Sequence, residues 1–262
     1  MDCGRYYDKA YGIVGEYPLK PWDFIRLERT FAHILKEGKL HDAGCGVGHW
    51  LEFLDRRTEL ELSGSDVSPD ALGKATKNLK GKGINLVLSD VRKLRYKDNE
   101  FDQTTALEVI EHVPEWEKSV LEMIRITRKR VVITVPYNER LSYGDCPRCG
   151  KEIFIDGHLH KFNEGDFLKF GRYGKVSFEK IYHPYKLKDF LRRGRRMFFE
   201  GKKVSEEKGK DGEIKLKVIC QNCYWEKGYR GHFLRTINRI KKILFRKPEH
   251  LLVRIDLKDR NS

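Results

Sequence analysis

The chain has 262 residues, 39% of them hydrophobic, which is enough apolar material for one large domain and excludes wholesale disorder. No run of 18 apolar residues occurs and the opening residues, MDCGRYYDKAYGIVGEYP, lack a basic-then-apolar signal, so neither a transmembrane helix nor export is expected and a cytoplasmic protein is. The net charge of +14 is unevenly placed: residues 1–140 hold 23 Lys+Arg and 23 Asp+Glu, so the whole excess lies in residues 141–262, where it suits an anionic partner or simply a solvated lysine-rich surface.

Residues 24–35 read as a helix. A short strand at 39–43 runs into Gly44-Cys45-Gly46-Val47-Gly48, and a helix follows from 49 to about 57. A strand over 60–67 ends at Asp66. Ser68-Pro69-Asp70 then reads as a helix start, a hydroxyl cap followed by proline at the first helical position, and that helix reaches about residue 80. Strands are expected at 85–89, just before Asp90, and at 101–108. A helix is expected at 114–129 and an apolar, β-branched strand at 130–135. Strand–helix alternation predicts a doubly wound α/β fold, its mostly parallel sheet covered on both faces, with ligands bound at the carboxyl ends of the strands. Residues 1–140 would form the ligand-binding core. Residues 141–262 would supply the remaining core strands, at 175–182 and 251–257, with a small insertion and a basic region. That second part reads as a helix at 163–170, a basic helix at 187–199, a polar linker at 200–213 and an amphipathic basic helix at 231–247.

The segment His41-Asp42-Ala43-Gly44-Cys45-Gly46-Val47-Gly48 sits between a strand and a helix. Its glycines permit a tight turn and close approach to a ligand, and the following helix N-terminus favours a ligand carboxylate. Asp42 is placed to accept from a cationic or hydroxylated ligand. Asp66 lies 22 residues after Gly44 at the end of the next strand, where an acid can take both ribose hydroxyls. Asp90 ends the third strand, within reach of an adenine amino group. The spacing is G-x-G-x-G rather than the G-x-G-x-x-G of dinucleotide folds.

With SDVSPDAL, LSDVRKL, ALEVIEHVP and VVITVP following in order, the DAGCGVG loop resembles the class I S-adenosylmethionine-dependent methyltransferases, particularly the type 11 group, over about residues 35–140. The resemblance implies that Asp42, Ala43, Gly44, Cys45, Gly46 and Gly48 hold the methionine moiety. It places the ribose on Asp66 with Val67, the adenine on Asp90 with Val91, and Glu108 beside the cofactor. Tyr6, Tyr7 and Tyr11 would close over it or serve as packing residues.

Glu108-Val109-Ile110-Glu111-His112 ends the fourth strand over the expected active site, and two acids and a histidine in five residues can bind a divalent cation. The E-x-x-E-H pattern resembles two metal-carrying methyltransferase groups, the ubiquinone-pathway O-methyltransferases and the small-RNA 3′-terminal 2′-O-methyltransferases. By that likeness His160, in Gly157-His158-Leu159-His160, would complete a Glu108, Glu111, His112, His160 site. Without metal, His112, with Glu111, would act as general base or orient the acceptor.

Cys146-Pro147-Arg148-Cys149-Gly150 resembles a zinc knuckle, and Cys220-Gln221-Asn222-Cys223 is a looser second pair. Four thiolates would make a closed structural zinc site, against the alternatives of two unrelated thiol pairs or a redox C-x-x-C. The basic helices suit a lipid-linked substrate at a peripheral membrane surface, RNA phosphates, or ordinary core packing with a charged outer face. The function expected is methyl transfer from S-adenosylmethionine to a small or lipid-linked acceptor, at oxygen. RNA methylation and a non-catalytic nucleic-acid-binding module are the alternatives.

Overall fold

The computed structural model describes residues 2–14, 19–146, 148–154, 157–182, 217–219, 221–223, 226–228 and 248–258. In chain order these form α1 (Cys3–Val14), α2 (Pro21–His33), β1 (Lys39–Ala43), α3 (His49–Asp55), β2 (Glu61–Asp66), α4 (Pro69–Asn78), β3 (Asn85–Leu88) and β4 (Phe101–Leu107). A 3-10 turn at Ile110–His112 leads to α5 (Trp116–Ile126) and β5 (Thr127–Pro136). Then come β6 (Tyr143–Asp145), β7 (Glu152–Phe154), α6 (Glu164–Phe167), β8 (Gly174–Ile181), β9 (Lys217–Ile219), β10 (Glu226–Gly228) and β11 (His250–Leu257).

Seven strands form one sheet in the order β3-β2-β1-β4-β5-β11-β8. Strand β11 runs antiparallel to both its neighbours, and the other six share one direction. The expected mostly parallel, doubly wound architecture is therefore present. The central strands are covered on both faces: in β5, Val131, Val132, Ile133 and Val135 are all buried. One face packs Val131, Ile133 and Val253 with Phe162, Phe167 and Phe170. The other packs Leu40, Val132 and Leu252 with Trp50, Leu51 and Leu54.

Polar side chains inside this core are satisfied locally. Buried His41 bonds through Nδ1 to Ser63 Oγ and through Nε2 to Ser65 Oγ, each at 2.9 Å. Burial lowers its pKa to about 3, so the ring is neutral. Gln103 answers both backbone groups of Leu35, taking its N–H at 2.8 Å and giving to its C=O at 2.9 Å. Helix α4 starts as its sequence predicts, Ser68 Oγ accepting from Ala71 N at 3.1 Å. Asp8 of α1 adds a second cap, taking the Asp70 N–H and the Ser68 hydroxyl.

Four features depart from the sequence reading. Helix α1 was not expected, nor were the three-residue hairpins β6–β7 and β9–β10. Strand β5 begins three residues earlier than expected, because Thr127 pairs with Phe101 and its hydroxyl meets Thr104 Oγ1 inside the core at 2.6 Å. The basic helices expected at 187–199 and 231–247, and the linker at 200–213, lie outside the described residues.

Candidate active site

Parallel pairing brings the carboxyl ends of β1, β2 and β3 to one edge, with Ala43 opposite Ser65 and Asp66 opposite Leu88. Asp42, Asp66 and Asp90 are gathered there. The turn after β1 is pinned to β2, with Gly44 N and Cys45 N both donating to Ser65 O, at 2.7 and 2.8 Å. Gly44 has φ +82°, and a Cβ there would stand 2.6 Å from Val109 Cγ2, in the loop after β4. A glycine is what lets these two loops touch. Gly44→Ala should cost about 2–4 kcal/mol, from left-handed strain plus the clash with Val109. Gly73→Ala, on the open face of α4, meets nothing and should stabilise by up to about 1 kcal/mol. Thermal unfolding of the two variants checks both signs.

Asp42 is 2% exposed, and Thr105 Oγ1 donates to its Oδ1 at 2.7 Å. Trp50 Nε1 in turn donates to Thr105 Oγ1 at 3.2 Å. Burial outweighs the Thr105 bond, and with nearby Asp66 raises Asp42 to about 7. Asp66 is also raised by burial, against three backbone donors: Ser68 N on Oδ1 and Gly46 N on Oδ2, each at 2.9 Å, and Val67 N. Val67 follows it, and Val91 packs into the core. Asp90 differs. Burial alone would raise it, but the Arg92 guanidinium, 2.6 Å away at Nη2, holds it below the usual carboxylate range.

Glu108 follows β4 with φ +58°, and His250 Nδ1 of β11 lies 3.0 Å from its Oε2. Burial would push Glu108 up, but His250 and Arg26 hold it well below the usual range. Glu111, in the 3-10 turn, is fully buried, and neither carboxylate oxygen has a hydrogen-bond partner. Burial, then repulsion from Glu108, raises it well above the ordinary value. His112 donates from Nδ1 to Gly157 O at 3.1 Å, since a carbonyl can only accept. Burial, with His158 close by, lowers His112 to about 4. Its ring is neutral, and Nε2 carries the lone pair, 3.9 Å from Glu111 Oε1.

The histidine beside this pair is His158 rather than the expected His160. The His158 ring centroid is 4.6 Å from that of His112, and its Nδ1 bonds to Glu139. Leu159 N donates to Glu111 O at 2.7 Å, which ties residues 157–159 alongside the 3-10 turn. One step further, His160 Nε2 donates to Val113 O at 2.8 Å and is held on the backbone. The four-residue Glu108, Glu111, His112, His160 set is therefore corrected: Glu108 meets His250, and His158 takes the place of His160. Tyr7 of α1 packs its ring edge-on against His112, centroids 5.5 Å apart.

Cys146, Cys149 and Cys223 bring their sulfurs within 4.8 Å of one another; Cys220 lies outside the described residues. Cys146 Sγ and Cys223 Sγ are 3.7 Å apart. Two sulfurs each about 2.3 Å from a tetrahedral zinc stand roughly that far apart. The knuckle turn is formed, with Gly150 N donating to Cys146 O and Cys146 N to Lys151 O, both at 2.8 Å. A residue the sequence did not single out joins the two cysteine segments: buried Gln221 takes the Phe154 N–H at 3.1 Å and gives to Phe154 O at 2.8 Å.

Residues 41–135 match the family model described as a methyltransferase domain. The phosphatidylethanolamine N-methyltransferase of Cereibacter sphaeroides is 31% identical over 128 residues, covering 47% of this chain and 58% of that one. Methyltransferase GfsG of Streptomyces halstedii is 33% identical over 94 residues, 34% of each chain. The chain thus spans well under two thirds of these relatives' lengths. Phosphoethanolamine N-methyltransferase 2 of Haemonchus contortus, solved with S-adenosyl-L-methionine, superposes with a TM-score of 0.59 at 15% identity, over 98% of this chain and 57% of that one. The fold is that of the class I methyltransferases. A second structure with this fold, from the Haloferax volcanii complex of the Trm112 methyltransferase activator and a putative methyltransferase, gives a TM-score of 0.59 at 13% identity, over 96% of this chain and 93% of that one. The methyltransferase domain match takes in the glycine loop, Asp42, Asp66, Asp90 and the Glu111–His112 turn, and stops before the cysteines. Among the described residues no helix is long and apolar enough to cross a membrane.

Proposed function

We propose that this chain transfers the methyl group of S-adenosylmethionine to a small or lipid-linked acceptor, at oxygen. The observation that carries the reading is Asp42: a carboxylate 2% exposed at the mouth of the glycine loop, raised by burial and, among the described residues, without a cation bonded to it. A bound ammonium would supply that cation. The residues fit the cofactor. Asp42 and the loop from Ala43 to Gly48 would hold the methionine moiety. Asp66, although it takes backbone N–H groups from Gly46, Val67 and Ser68, has about four lone-pair sites and would still accept from the ribose hydroxyls. Asp90, already gripped by Arg92, and Val91 would border the adenine.

Bound S-adenosylmethionine supplies an electrophilic methyl group. What the chain must add is alignment, exclusion of water and, for a hydroxyl acceptor, somewhere for the proton to go. His112 and Glu111 stand at the end of β4 for that purpose, the neutral ring offering Nε2. This favours a hydroxyl acceptor over one that needs no deprotonation. A relative named for phosphatidylethanolamine supports the lipid-linked class. The cysteine cluster is read as a structural zinc site completed by Cys220.

The test is transfer of labelled methyl from S-adenosylmethionine into fractions of a cell extract, with Asp42→Ala as control. Label in the lipid or small-molecule fraction, absent with the variant, supports the reading. Label in a ribonuclease-sensitive fraction replaces it with RNA methylation, and no cofactor binding at all leaves only a non-catalytic role.

A further inference from the structure

We propose that Glu111, His112 and His158 bind one divalent transition-metal ion, separate from the cysteine cluster. The ligand atoms of the three side chains lie within 4.8 Å of one another. Donors about 2.1 Å from a shared ion are separated by roughly 3–4 Å, so closure needs only side-chain adjustment.

The chemistry of each member argues for an ion there. A fully buried carboxyl whose two oxygens have no hydrogen-bond partner is costly unless a ligand meets it, and Glu111 is such a group. The two imidazoles do not supply hydrogen bonds to it. Each has its Nδ1 committed to an acceptor: His112 to the Gly157 carbonyl, His158 to the Glu139 carboxylate. Both acceptors require Nδ1 to carry the proton, so a metal on either ring would be bound through Nε2. An imidazole anchored at one nitrogen by a carbonyl or carboxylate and presenting the other is how histidine is oriented for a metal. Arg26 lies near enough to favour the ionised form of Glu111 but bonds neither of its oxygens, while Glu108 lies against His250 and Glu139 against His158.

Two nitrogens and one carboxylate oxygen select a first-row transition ion such as zinc, cobalt or iron(II) over magnesium or calcium, which prefer all-oxygen sites. Three protein ligands leave a coordination position for solvent or acceptor. With the ion bound, His112 Nε2 is a ligand and no longer a base; if the methyl-transfer reading holds, the dication takes over that part by stabilising the deprotonated form of a hydroxyl acceptor at the open position. Only this consequence rests on that reading; binding of the ion does not.

The experiment titrates the purified full chain with Co2+, reading the visible d–d spectrum and metal per chain, in wild type, Glu111→Gln, His158→Gln and His160→Gln. Cysteine-bound cobalt is separated by its thiolate charge-transfer bands, which none of these variants alters. Wild type and His160→Gln should take up the nitrogen/oxygen-bound ion alike. Glu111→Gln and His158→Gln should bind it at least about tenfold more weakly. Glu111→Gln should also melt no lower than wild type in metal-free buffer, because the amide matches the buried carboxyl in shape and carries no charge; that excludes misfolding as the cause. Equal cobalt affinity in wild type and Glu111→Gln overturns the proposal. So does loss in His160→Gln with retention in His158→Gln. S-adenosylmethionine affinity, measured alongside, should be unchanged in all three variants. Its absence in wild type would defeat the methyl-transfer reading while leaving the metal result intact.

Discussion

Asp42→Asn is expected to weaken S-adenosylmethionine binding by about 100-fold, as loss of one partner from a buried charged pair does, and to flatten the pH dependence of binding near pH 7. The carboxyl sits at the carboxyl end of β1, where Thr105 donates to it, and burial lifts it from 3.8 to about 7. A cationic ligand favours the ionised form, so the complex holds Asp42 as carboxylate at pH values where the unliganded protein protonates it. Binding below pH 7 therefore releases a proton. Affinity should rise by about tenfold per pH unit up to pH 7 and level off above it. Titration calorimetry in buffers of different ionisation enthalpy measures the released proton directly. Asparagine can still accept from Thr105, so the fold should survive. A slope that persists unchanged near pH 7 in Asp42→Asn would assign the titration to another group.

The sheet was legible because its strands are short apolar runs ending at chemically distinct residues. Strand β1 was bounded by the glycine loop, β2 by Asp66 and the Ser68-Pro69 cap, and β5 by the run Val131 to Val135. Helix α1 was not legible, since its side chains find their partners in elements distant in sequence, Tyr7 against His112 and Asp8 with the Tyr11 carbonyl against α4. The small hairpins have three residues per strand, too few for a period to show. The acceptor side was half legible. Spacing showed Glu111 and His112 together, but both His158 and His160 lie at workable distances in sequence. Only the backbone bonds from Leu159 to Glu111 and from His160 to Val113 decide between them. The Glu108–His250 pair joins strands distant in the chain, and no local pattern announces it.

Cys146→Ser is expected to release about one zinc per chain and to lower kcat at least about tenfold while leaving S-adenosylmethionine affinity unchanged. The reason is a continuous path from the cysteines to His112. Cys146 and Cys223 close the knuckle, and Gln221, two residues before Cys223, holds both backbone groups of Phe154. Phe154 O also accepts from Gly157 N at 3.1 Å, and Gly157 O takes the Nδ1 proton that orients His112. Structural zinc contributes on the order of 10 kcal/mol to folding of its ligand loops, far more than the ~1 kcal/mol of each hydrogen bond along this path. Losing the metal should therefore unfasten the whole path, and Gly157 with it, while the Asp42 end of the sheet stays in place. Gln221→Ala separates the two effects. It keeps the thiols, so zinc should stay bound, yet it cuts the link to Phe154 and should lower kcat in the same direction. Unchanged zinc content in Cys146→Ser would remove the structural-zinc assignment. Zinc loss with unchanged kcat would mean that the knuckle and His112 are independent. A fall in kcat in Gln221→Ala with zinc retained would show that the hydrogen bonds, not the metal itself, hold the catalytic ring.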